Sequence, residues 1–100
     1  MSGLEYDIKG KRQMNILHEV RAERERQDKK WGEQNHNHVE YSAILGEEYG
    51  EVCKASLEVH FGYEGADPDE VRKELIQTAA VAVAFIECID RRKRNFKDEP

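Results

Sequence analysis

The chain is expected to adopt an all-α fold, an antiparallel helical bundle completed by homo-oligomerisation. Three observations predict it. Apolar residues recur at helical spacing in three blocks, and nothing reads as a strand. The breaks between the blocks, WGEQNHN and GYEGADP, are rich in turn formers. The third block is apolar nearly all round from Leu75 to Ile86, more surface than two other helices can cover.

The first helix is expected from about Lys11 to Lys30, with Ile16, Leu17 and Val20 as its apolar contacts. Its second half, RAERERQDKK, is nearly all charged. Glu25 and Lys29 form a favourable i,i+4 pair there, so this half can stay helical while solvated. Trp31 to His38 reads as a polar loop. The second helix is expected from about Glu40 to Phe61, closed by Gly62, with Tyr41, Ile44, Leu45, Val52, Ala55 and Val59 as its stripe. Asp67 suits an N-cap and Pro68 the first position of the third helix, where Asp69 and Glu70 meet the positive end of the dipole. That helix runs to about Arg92, with Val71, Leu75, Thr78, Ala82, Phe85, Ile86 and Ile89 as its main stripe. Self-association into a homodimer or homotetramer would cover the rest, and the small alanines allow close approach. Residues 1–100 make one domain, with 1–10 and 93–100 expected to be flexible.

Charged residues form 37% of the chain and hydrophobic ones 38%, at a formal net charge of −5. That balance argues against a nucleic-acid binder or a membrane-surface protein. The longest apolar run, Ala79 to Ile86, is far too short to cross a bilayer, and the start MSGLEYDIKG has no signal-peptide pattern. Cys53 and Cys88 lie in helical patterns without metal-ligand spacing and read as two buried free thiols. A cytoplasmic location is the expectation.

The stretch ILGEEYGEV puts three acids into the second helix. Glu48 is i+4 from Ile44, i+3 from Leu45 and i−4 from Val52, so it falls inside the apolar stripe. Glu47 and Glu51 are i,i+4 neighbours along its flank. An unpartnered carboxylate there costs several kcal/mol, and like charges beside it add to the cost. Glu48 is therefore neutral, or paired with a cation such as Arg24, Arg26 or Lys30, or shares a divalent metal ion with its neighbours. An all-oxygen ligand set favours Mg²⁺ or Mn²⁺ over zinc. Glu74 lies on the edge of the third helix's stripe, and antiparallel packing would carry it toward these acids. Gln77 lies one turn further on, while Glu87 and Asp90 point away and read as surface or interface residues.

EExxE at Glu47, Glu48 and Glu51, followed after 22 intervening residues by ELIQTAAVAVAFIE from Glu74, resembles the MazG-like all-α nucleoside triphosphate pyrophosphohydrolases. Their signature is EExxE followed by ExxD. RQDKKWGEQNHN, from Arg26 to Asn37, is similar to the Trp-Glu-Gln-Phe-His type of segment in the dCTP-pyrophosphatase branch. The likeness is greater still to small MazG-like proteins of phages and prophages, and it covers about Glu25 to Ile89. Gln77 stands where the family has Asp.

The resemblance implies hydrolysis of a (d)NTP to the monophosphate and pyrophosphate, in nucleotide-pool control. Mg²⁺ would be held by Glu47, Glu48, Glu51 and Glu74, with Gln77 as a neutral oxygen donor or the holder of a metal-bound water. Glu48 or Glu51 would accept the proton of the attacking water. Trp31 would stack on the base, Gln34 would hydrogen-bond base or sugar, and His36 would touch phosphate or sugar. Arg26, Lys30 and Lys54 would meet the triphosphate. Each has a structural counterpart: Trp31 as a core aromatic, Lys54 in an ion pair with Glu51 or Glu58, Arg26 and Lys30 on a solvated face. The alternative to an enzyme is a non-catalytic helical oligomerisation or regulatory module whose acids are paired structurally.

Overall fold

The computed structural model describes the backbone of residues 3–98 and the side chains of residues 8–93. The described residues form three helices and no strand. These are α1 (Gly3–Trp31), α2 (His38–His60) and α3 (Pro68–Asp98).

α1 and α3 are longer than the periodicity marks. EYDIKGKRQ contains no proline, and Gly10 has open space around it, so the helix continues through it at a cost of about 1 kcal/mol. α3 meets no glycine or proline between Pro68 and Asp98. The expected flexible stretches 1–10 and 93–100 are thus helical over 3–10 and 93–98, and Met1, Ser2, Glu99 and Pro100 lie outside the described residues. Trp31 is the last residue of α1 rather than the first of the loop.

The helix ends are closed by local chemistry. Gly32, at φ +73°, donates its N–H to Asp28 O at 2.8 Å and turns the chain out of α1. Asn37 caps α2 reciprocally: its side chain accepts from Glu40 N at 2.8 Å, and Glu40 Oε1 accepts from Asn37 N at 3.0 Å. At the other end Gly62, at φ +65°, donates to Val59 O, while Tyr63 donates to Glu58 O, the paired bonds of a Schellman motif. Asp67 Oδ1 accepts from Asp69 N at 2.9 Å, so α3 starts where the Asp-Pro signal placed it.

α3 is the spine. It packs against α2 and against α1, whereas α1 and α2 make no close backbone approach to each other. α2 runs antiparallel to α3, since Tyr41 stacks on Phe85 while Leu45 and Tyr49 face Thr78 and Ala82. α1 runs in the same sense as α3: Glu19 pairs with Arg72 and Arg24 with Glu87. Val20, Tyr41, Val52, Ala55, Ala80, Val81 and Cys88 form the small buried core. On the expected α2 stripe Ile44, Leu45 and Val59 are half-buried.

This leaves much apolar surface in the single chain. Ile16 and Leu17 on α1 are exposed, as are Leu75, Val83 and Ile86 on α3 and Tyr49 on α2. Two expected core stripes are therefore only partly buried. Cys53 is exposed and Cys88 buried, which corrects the expectation of two buried thiols. The radius of gyration is 17.1 Å, well above the roughly 13 Å of a compact domain of this length. No described helix is long and apolar enough to cross a membrane.

Asn37→Ala removes one half of the α2 capping box. It is expected to cost about 1 kcal/mol and to lower the thermal midpoint by roughly 4–8 °C, measured by circular dichroism.

Candidate active site

The acids of α2 and α3 meet along the antiparallel seam. Glu48 is half-buried there, as its place in the apolar stripe requires, while Glu47 and Glu51 are exposed. Glu74 reaches the same seam from α3. Its carboxyl is held above the usual range, first by burial, then by a hydrogen bond to Glu70 and by the charges of Glu70, Glu51 and Glu48. The seam thus places Glu48, Glu51 and Glu70 in the field of one half-buried carboxyl. Thr78 Oγ1 donates to Glu74 O at 2.8 Å, one turn along on the same helix.

No cation answers these charges from within the described residues. Arg24 pairs with Asp28 and Glu87, Arg26 with Glu23, and Arg72 with Glu19. None of Glu47, Glu48, Glu51 or Glu74 makes an ion pair among the described residues. The structural pairing with Arg24, Arg26 or Lys30 weighed from the sequence does not form. Among the described residues no three His, Cys, Asp or Glu side chains converge closely enough to grip a metal ion as they stand. The donor chemistry still fits a hard cation: the acids are all oxygen donors, and the exposed Glu51 is free to turn.

Glu48 also borders a cavity of about 230 Å³ where the end of α1, the following turn, the start of α2 and α3 meet. Tyr41 and Phe85 stack beside it at 5.0 Å and 13°, and the edge of His36 lies against Tyr41 at 4.9 Å. Trp31 and Gln34 line its α1 side, where Lys30 Nζ sits 4.8 Å from the Trp31 ring centroid. Trp31 is 62% exposed, so it is no core aromatic in the single chain.

Arg24 is the cavity's most enclosed cation. It donates to Glu87 Oε1 and to Asp28 Oδ1, both at 2.9 Å, and to Gln27 Oε1 at 3.1 Å. Burial works against its charge, but the bonds to Glu87 and Asp28 prevail and raise its proton affinity. Arg91 lies 3.4 Å from Glu33. Both guanidinium groups of the lining thus have acidic partners, and Glu48 is left without one.

The structure brings together most, not all, of the residues singled out from the sequence. Glu48, Trp31 and Gln34 share the cavity, with His36 and Lys30 beside it. Glu51 and Glu74 share the seam with Glu48. Glu47 and Lys54 are exposed on α2 and outside the cavity lining. Gln77 and Arg26 face a different groove, between α1 and α3, beside Glu23 and Lys73. Glu70 is a further neighbour of Glu74, and its i−4 spacing in EVRKE carries that signal in the sequence. Glu87, read as surface, instead reaches α1 through Arg24, because α3 is flanked on two sides.

No family model, no curated protein and no solved structure matches the chain.

Glu74 carries a pH signature. Its proton affinity in the folded chain lies above the unfolded value, so the cost of its charge, first from burial and then from Glu70, Glu51 and Glu48, is absent at low pH, where both states are protonated. That cost grows as pH rises through the folded value. Glu74→Gln is therefore expected to raise the thermal midpoint by roughly 2–4 °C at pH 7 and to leave it unchanged near pH 3.5, measured at fixed ionic strength.

Proposed function

We propose that the chain is a Mg²⁺-dependent nucleoside triphosphate pyrophosphohydrolase, a MazG-like protein that converts a (d)NTP to the monophosphate and pyrophosphate. The observation that carries this reading is the double position of Glu48. It borders a cavity lined by Trp31 and Gln34, and it contributes to the acidic field on Glu74. Acids without cationic partners thus adjoin a pocket that suits a planar, hydrogen-bonding group. At about 230 Å³ the pocket is smaller than a usual drug-sized site and fits a base with part of its sugar, leaving the phosphates toward the seam.

When bound, Mg²⁺, or Mn²⁺ in its place, neutralises the triphosphate and polarises a water. Glu48, Glu51 and Glu74 would hold the ion once the exposed Glu51 side chain turns toward the seam. Glu70 supplies the additional carboxylate that Gln77, turned toward α1, does not. Glu47, exposed one turn before Glu51, lies beyond this set. Trp31 stacks on the base, Gln34 and His36 hydrogen-bond base and sugar, and Lys30 lies within reach of the charged end. A water oxygen bonds to phosphorus as the bridging P–O bond to pyrophosphate breaks, and Glu48 or Glu51 takes the water's proton.

The exposed apolar face of α2 and α3 supports self-association into a homodimer or homotetramer with a shared four-helix bundle. Leu45, Gly46 and Tyr49 flank Ala79 and Ala82 in an apolar groove, with Leu75 and Ile86 exposed on α3. The single chain's low compactness points the same way. Its composition suits the cytoplasm, with the nucleotide and further copies of the chain as partners and neither nucleic acid nor membrane among them.

Purified protein given each (d)NTP with Mg²⁺ is expected to release pyrophosphate, and Glu48→Gln to lower the rate at least about 100-fold. Full activity in the variant contradicts the role of Glu48. If no nucleotide turns over and Glu48→Gln changes only thermal stability, the chain is instead a non-catalytic oligomerisation module. Ile86→Glu is expected to shift the mass in light scattering to that of the monomer.

A further inference from the structure

The turn between α1 and α2 has little structure of its own, yet it carries two of the residues assigned to nucleotide recognition. Residues 33–36 have no helical hydrogen-bond ladder, and Gly32 and Asn37 close the two flanking helices. The constraint on this segment comes from elsewhere. Arg91, on α3, donates from one guanidinium nitrogen to Gln34 O at 3.0 Å and to Asn35 Oδ1 at 3.1 Å. Its Nε also donates to Asn35 Oδ1, at 3.3 Å. Gln34 O accepts a second bond from Tyr41 Oη at 3.1 Å, so donors on α2 and α3 converge on one carbonyl. One turn back on α3, Cys88 Sγ donates to His36 O at 3.5 Å.

We propose that Arg91 is a positioning residue: its guanidinium locks the segment after α1 to the spine and so holds Gln34 at the cavity for the nucleotide base. The proposal rests on the nucleotide-hydrolase reading for its consequence, but not for the locking itself. A planar fork with several donors is needed to reach a carbonyl and a side-chain oxygen together, which a lysine ammonium on a flexible stem cannot reproduce. Arg91 also borders the cavity, so direct contact with a phosphate is the competing role. The two roles differ in what they change. A lock acts without ligand and sets binding, whereas a phosphate contact leaves the free segment unaltered.

The test uses Arg91→Gln and Arg91→Lys, with Asn35→Ala as a variant that removes an acceptor without touching α3. Backbone amide order parameters from NMR relaxation without nucleotide are expected to fall over residues 33–36 in Arg91→Gln, from about 0.8 to below about 0.6, with α2 and α3 unchanged. Arg91→Lys is expected to lie close to Arg91→Gln, and Asn35→Ala to show a smaller change of the same sign. With the (d)NTP that turns over, KM is expected to rise roughly tenfold while kcat stays within about twofold. Wild-type order parameters over 33–36 in all three variants overturn the proposal, as does a fall in kcat at unchanged KM. Absence of turnover in the wild type defeats the hydrolase reading alone, and the order parameters then decide the lock by themselves.

Discussion

Everything in this chain hangs on α3. Among the described residues it is the one helix that packs against both others, and α1 and α2 meet through it and the short turn that joins them. That constraint fixes the face α3 offers to each neighbour. One side takes the Tyr41–Phe85 stack and the acids of α2, and another takes Glu19 and Arg24 of α1. The remaining side is left apolar and exposed. A chain whose helices all touched would have no wedge between α1 and α2, and the cavity lies in that wedge. The openness of the single chain and the existence of its candidate site therefore share a cause.

The electrostatics follow from the same arrangement. Guanidinium groups on α1 and α3 are engaged along the α1 side, by Glu87 and Asp28 at Arg24 and by Glu19 at Arg72. The α2 side has no such partners among the described residues, so the seam concentrates uncompensated carboxylates. Glu74 registers this most clearly, because burial and three acidic neighbours act on it together. A marginally stable domain does not keep such a cluster without a cost to its fold.

Much of this was legible in the sequence, for identifiable physical reasons. Helix type followed from spacing, and the Asp67-Pro68 start and Gly62 stop followed from capping chemistry that needs no tertiary context. The antiparallel approach of Glu74 to the α2 acids followed from the wheel. Residues whose role depends on which neighbour a helix face meets were not legible. Gln77 is close to Glu74 in sequence yet lies toward α1, and Glu87 reads as surface until α1 is known to flank α3. The exposure of Cys53, Leu75 and Ile86 is of the same kind, because periodicity marks a face as apolar without saying what covers it.

The central claim is that the carboxylates of the α2–α3 seam take up a divalent cation beside the cavity. Titration of Mn²⁺ into the protein at fixed ionic strength, followed by the electron paramagnetic resonance signal of the free ion, measures it directly. Saturable uptake by the wild type, lost in Glu48→Gln and weakened in Glu70→Gln, is the predicted result. No uptake by the wild type, or equal uptake by all three, would contradict the account.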